Sequence, residues 1–184
     1  MSQVSPAPSA PAIPALDAEI AIEDDRWRSH SDPEAVVQAA VRALVAATPA
    51  GLGQPSAATI VLSDDARVSA LNATFRRQPV PTNVLSFPAA PGASEPGEPA
   101  YLGDVIIARE TVEREAEAAG ICLAHHLQHL TIHGVLHLLG YDHDTDARAE
   151  IMEALETQVL ASLGVADPYA SETAISPGQT LPLN

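Results

Sequence analysis

One thirteen-residue stretch, TIHGVLHLLGYDH over Thr131–His143, constrains this chain more than any other part of it. Its apolar residues favour a buried helix, yet it carries His133, His137 and His143. His133 and His137 lie four apart, so on a helix they project from one face within reach of a single ion. Gly140 follows three residues later, where a left-handed turn can end the helix and bring His143 back toward the pair. Three neutral imidazoles with one open position are the donor set of a catalytic zinc site. A single histidine on an apolar helix face is ordinarily a satisfied core residue. Three at spacings of 4 and 6, around a helix-ending glycine, are not explained that way. The expectation is one Zn2+ ion held by His133, His137 and His143.

The spacing H-x3-H-x5-H, with glycine seven after the first histidine, also occurs in a class of zinc proteases. Those enzymes place glutamate directly after the first histidine, as the base that activates water. Here that position is Gly134. The ligand spacing survives and the peptidase base is missing, so protease chemistry does not follow. His129, one turn before His133, either lines the same cleft or lies on the helix surface. His125 and His126 are weaker candidates, and His30 reads as solvent-exposed.

Length favours one domain: 184 residues, 46% of them apolar, make a single packed core. No apolar run reaches the length of a membrane-spanning helix. Acidic residues number 24 against 9 basic ones, for a net charge of −15, and every basic residue is arginine. That balance argues against a general nucleic-acid binder, which needs clustered positive charge. The charge is segregated, however. Leu71–Pro88 holds Arg76 and Arg77 with no carboxylate, while Asp142–Glu156 holds six acids against Arg148. The lone Cys122 excludes an internal disulfide, fits a reducing cytoplasm and reads as a small apolar filler.

Residues 1–15 read as a disordered Pro/Ala-rich leader and 171–184 as a disordered tail, bracketing one domain over 16–170. Strands are expected at Ala18–Ile22, Ala58–Ser63, Thr82–Phe87 and Tyr101–Ala108. Helices are expected from the Asp32-Pro33 cap signal to Ala47, from the Asp64 cap through Phe75, and over Glu110–Ala119, Ala124–Leu139 and Thr145–Leu163. This is an α/β (α+β) fold: a small mixed four-stranded sheet packed with about five helices, the metal site on the C-terminal helical half.

HGVLHLLGYDH at 133–143 resembles the signature of the bacterial YbeY family, zinc-dependent endoribonucleases of rRNA maturation. LNATFRRQPVPTNVLSFP at 71–88 and YLGDVIIARETVEREAE at 101–117 resemble further family blocks, in the family's order. The resemblance implies metal ligation by His133, His137 and His143 and a functional arginine at Arg76. It implies a single-strand-specific endoribonuclease acting in 16S rRNA 3′-end maturation and ribosome quality control. Its partners would be rRNA, the small ribosomal subunit and ribosome-associated proteins, with neither DNA nor membrane. The Pro/Ala leader, the absent lysines and the second arginine, Arg77, are peculiar to this chain.

Three neutral histidines leave an ion's +2 charge uncompensated, so such a centre attracts a phosphodiester. Bound water would be made far more acidic, with a pKa brought down to about 7. Arg76 offers a planar fork that matches two phosphate oxygens, and Arg77 sits ready to bind substrate beside it. His133 and Arg76 are thus the candidate catalytic residues. Arg109 and Arg114 are candidates to extend an RNA track, although Arg114, between Glu113 and Glu115, is better read as paired with them. Asp142 either orients a ligand imidazole or caps the turn, and Asp104 reads as a structural carboxylate. Two other readings stay open: a zinc hydrolase of another substrate, and a ribosome-assembly factor with a structural metal. The ends carry only Glu172, so −14 of the −15 belongs to the folded region. Affinity for random RNA should then be weak and local, suited to delivery by protein partners.

Overall fold

Four strands form one sheet: β1 Leu16–Ile22, β2 Ser56–Ser63, β3 Val84–Pro88 and β4 Ala100–Ala108. Their order is β1-β2-β4-β3. β1, β2 and β4 are parallel, and β3 runs antiparallel along the outer side of β4. The computed structural model describes residues 16–29, 31–48 and 54–170. The expected leader, the expected tail and His30 lie outside these described residues.

Five helices accompany the sheet: α1 Pro33–Ala47, α2 Asp65–Arg76, α3 Arg109–Ala119, α4 Leu123–Leu138 and α5 Asp146–Ser162. The caps read from sequence form as expected. Asp32 accepts from the Ala35 amide at 3.0 Å, and Asp64 accepts from the Arg67 amide at 2.8 Å. A short 3-10 helix, Asp25–Ser29, has no periodicity to announce it. It buries Trp27, whose indole N–H donates to the Ser63 carbonyl at 3.0 Å.

The two faces of the sheet serve different layers. Ile60, Leu62, Val105 and Ile107 point into the main core with α1, α4 and α5. Leu85, Ile106 and Ala108 point the other way, onto Val68 of α2. α4 is buried on several sides, through Leu127, Leu130, Ile132, Val135 and Leu136, because it lies between the sheet and the α1–α5 pair.

Packing explains why residue 134 is glycine. A Cβ there would lie 2.4 Å from a Val105 methyl carbon and 3.3 Å from the Ser86 hydroxyl oxygen. The Ser86 hydroxyl also donates to the Gly134 carbonyl at 3.0 Å. Position 134 therefore faces the sheet, and a glutamate there would collide with β4 before it reached any cleft.

Three sequence readings need correction. Cys122 is exposed, in the turn that precedes α4, and fills no core space. Arg114 does not pair with Glu113 or Glu115, since adjacent helical residues point apart. It reaches Asp65 at 3.8 Å and the Thr111 hydroxyl at 2.9 Å. Arg109 is largely buried and paired with Glu113, so it offers no track for RNA.

Candidate metal centre

The last turn of α4 and the turn that follows bring three imidazoles together. Gly140 takes a positive φ of 88°. This lets the Tyr141 amide donate back to the Leu136 carbonyl at 3.0 Å and closes the helix. The chain then reverses and returns His143 to the face that carries His133 and His137. Ring centroids are 4.6 Å apart for His133–His137, 5.6 Å for His133–His143 and 5.1 Å for His137–His143. One nitrogen from each ring lies within 4.8 Å of the others, so the three could hold one ion.

Hydrogen bonds fix two of the three tautomers. His133 Nδ1 donates to Glu156 Oε1 at 2.8 Å, and His137 Nδ1 donates to the Tyr141 carbonyl at 3.1 Å. Both acceptors lack a proton to give, so the remaining lone pair of each ring sits on Nε2. Those two Nε2 atoms face each other at 3.1 Å. Facing lone pairs repel at that distance, and a cation bound by both relieves the repulsion. Burial, with His133 and His143 beside it, holds His137 below the usual imidazole range. The ring is therefore neutral and ready to ligate near neutral pH. The donor set fits a borderline-soft divalent ion.

Glu156 supports this arrangement and was not singled out in the sequence, where it counted among the surface acids. Its side chain is fully buried. Oε1 accepts from His133 Nδ1, while Oε2 lies 3.0 Å from His129 Nε2 and accepts from the Tyr169 hydroxyl. Burial pushes its carboxyl up, but the bonds from His129, His133 and Tyr169 outweigh burial and bring it down to about 2. A signal existed: Glu156 falls in the stripe Met152, Glu156, Val159, Leu160, the buried face of α5. His129, Glu156 and His133 also lie close enough to share an ion. Their facing atoms are already engaged in these hydrogen bonds.

His129 thus points at α5 rather than into the cleft. His126 bonds Glu115 at 2.8 Å, and His125, His126 and His129 line a separate cavity of about 430 Å3. Asp142 accepts from the His143 amide at 2.8 Å, which is the turn-capping alternative. Asp104 accepts from the Tyr101 hydroxyl at 2.8 Å within the sheet, a structural role as expected.

The three histidines open onto a cavity of about 570 Å3, whose lining includes Arg76, Ser86 and Asp142. Arg76 ends α2 and reaches this cavity over the edge of β3. Arg77 caps α2 in a left-handed conformation, φ 58°, and does not line the cavity. Arg148 lines it but is held by Asp144 at 3.0 Å. Arg42, Arg76 and Arg77 are the arginines without an ion pair among the described residues. Arg76 is the one of these that lines the cavity with the histidines.

An α+β protein with a convergent tri-histidine cluster in an open cleft is the class that this fold and site define. The family model described as Endoribonuclease YbeY matches residues 20–164. The chain is 48% identical over 171 residues to Endoribonuclease YbeY of Rhodopseudomonas palustris strain HaA2, covering 90% of this chain and 86% of the relative. It is 47% identical over 163 residues to Endoribonuclease YbeY of a Bradyrhizobium strain, covering 87% and 96%. The chain belongs to the YbeY family. The solution structure of TM1509 from Thermotoga maritima has the same fold, with a TM-score of 0.53 and 21% identity over 88% of this chain and 99% of that one.

Proposed function

We propose that this protein is a zinc-dependent endoribonuclease that cleaves single-stranded RNA, in 16S rRNA 3′-end maturation and ribosome quality control. The observation that carries this reading is the cavity itself, where an arginine without an ion pair faces three converging imidazoles. The family relationship supports the substrate class. In this reading His133, His137 and His143 hold the ion, Arg76 binds the scissile phosphate, and Arg77 contacts the RNA backbone at the rim. The protein acts in the cytoplasm on rRNA of the small ribosomal subunit, delivered by ribosome-associated proteins. No helix among the described residues is long and apolar enough to cross a membrane.

When bound, the divalent ion supplies Lewis acidity and positive charge at a phosphate oxygen. The remaining work belongs to the chain. Arg76 grips two phosphate oxygens through its planar fork and neutralises charge that develops during cleavage. Glu156 and the Tyr141 carbonyl keep the His133 and His137 rings oriented. Asp142, the carboxylate on the cavity wall, is the candidate to accept a proton from the attacking hydroxyl.

The test is cleavage of rRNA precursor by purified protein with and without chelator, beside His133→Ala and Arg76→Ala variants. Wild-type cleavage should stop with chelator, and Arg76→Ala should slow it by about 100-fold, the usual cost of losing one charge-stabilising donor. Cleavage that survives in both variants would overturn the assignment. Folded variants that still associate with ribosomes, from a wild type that never cleaves, would favour the assembly-factor reading.

A further inference from the structure

We infer that Phe75, backed by Phe87, is a base-stacking platform that holds an unpaired nucleobase beside the cleaved phosphate. This deepens the RNA reading above and rests on it.

Aromatic residues make up only 3% of the chain, and its two phenylalanines meet at one place. Their rings touch edge to face, with centroids 5.0 Å apart and planes at 61°. Phe75 is nonetheless 65% exposed, more than any other large hydrophobic side chain of the described residues. An isolated exposed leucine or isoleucine needs no explanation. A ring held in place by a second ring and left open to solvent does.

Its position supplies the explanation. Phe75 directly precedes Arg76, and Phe87 lies between Ser86 and Pro88; Arg76, Ser86 and Pro88 all line the histidine cavity. Successive strand residues point to opposite faces, so Phe87 turns away from the cavity, over the β3 edge, onto the α2 side. The aromatic pair is thus one residue from the cavity wall on both segments, separated from it by an edge strand. A nucleotide chain whose phosphate is gripped by Arg76 and that leaves the cavity across that edge brings its flanking base to Phe75.

Chemistry selects the occupant. Arg76 and Arg77 directly follow Phe75 in the chain and have no ion pair among the described residues, and no carboxylate occurs from Leu71 to Pro88. An exposed aromatic ring followed by two arginines without ion pairs among the described residues matches single-stranded nucleic acid, which pairs aromatic stacking with backbone neutralisation. A base in a duplex has both faces covered and cannot use the ring. The platform therefore also discriminates between single and double strands, in a chain whose −15 charge otherwise discourages RNA.

The experiment measures binding of a short labelled single-stranded RNA by fluorescence anisotropy, and KM and kcat for its cleavage, on full-length protein. Variants are Phe75→Ala, Phe75→Leu and Phe75→Trp, with duplex RNA as control. Because Phe75 is exposed, unchanged thermal midpoints should confirm that all three fold. Phe75→Ala should weaken single-strand binding and raise KM by about tenfold, within the range for loss of one stacked base, with kcat unchanged. Phe75→Leu should lose as much despite keeping apolar bulk, Phe75→Trp should restore binding, and duplex affinity should not move. An abasic site at the stacked position should abolish the difference between wild type and Phe75→Ala. Leucine binding as well as phenylalanine, or equal losses on single and double strands, would overturn the inference while leaving the RNA reading intact. So would a Phe75→Ala variant that keeps RNA affinity and loses a ribosomal protein instead. A wild type that neither binds nor cleaves single-stranded RNA would overturn the RNA reading, and the platform with it.

Discussion

At the start of α4, His125, His126 and His129 share one side of the helix, but His126 is turned to Glu115 and His129 to Glu156. At its end, His133 and His137 share a face, and the Gly140 turn adds His143 to them. Both regions are rich in histidine and both border cavities, of about 430 and 570 Å3. Only the second aims ring nitrogens at a common point. In the first, carboxylates take up the rings of His126 and His129. In the second, a carboxylate and a carbonyl take only the Nδ1 side and leave Nε2 free. Histidine density is therefore a poor guide to a metal centre; the side of the ring that is already bonded decides.

The sharpest way to break this comparison is to remove one ring from each region. His137→Ala should empty the protein of bound zinc and abolish cleavage, whereas His126→Ala should keep both near wild type. Metal analysis and the cleavage assay check this, and equal losses would erase the distinction. The next effect is smaller. Glu156→Gln leaves the three rings in place but loosens the His133 tautomer, so zinc affinity should fall by roughly 10–100-fold in chelator competition. The same carboxylate makes a pH prediction for metal-free protein. Its folded pKa, about 2, lies below the ordinary 4.5. Its contribution to stability is complete above the ordinary value and is lost as pH falls from there toward about 2. Urea unfolding across that window should weaken steadily in wild type and less in the glutamine variant, and identical slopes would count against Glu156 as the cause.

Packing under the site comes next. Gly134→Ala presses a methyl group into Val105, so stability should drop by about 1–3 kcal/mol while the histidines stay in place. Denaturant titration measures this, and a neutral result would mean that α4 shifts at no cost. The smallest effect belongs to Cys122→Ser. The side chain is exposed, so stability should change by less than about 0.5 kcal/mol and zinc content not at all.

Much of this arrangement was legible in the chain. The nine main elements follow from alternation, from 3.6-residue periodicity and from caps at Asp32 and Asp64, each a local signal that packing reinforces. The tri-histidine cluster was legible because the helix repeat and the Gly140 turn place all three rings without outside help. What escaped depends on contacts distant in sequence. Trp27 sits in a 3-10 turn that only the Ser63 carbonyl explains. Glu156 looked like one more surface acid because its burial requires α5 to lie against His129 and His133. Arg114 found Asp65, on another helix, where its neighbours had suggested a partner closer by.

The Gly140 turn also bears on the order in which the molecule assembles. All three histidines lie within the segment His133–His143, so bringing them together closes only short loops once α4 has formed. Glu156 joins from the next helix, whereas Arg76 joins from α2, far away along the chain, and closing that distance carries the larger entropic cost that slows folding. The centre is thus kinetically divided. A local knot of nitrogens can form early, while the cavity wall that gives it a substrate closes only when α2, β3 and α5 have packed.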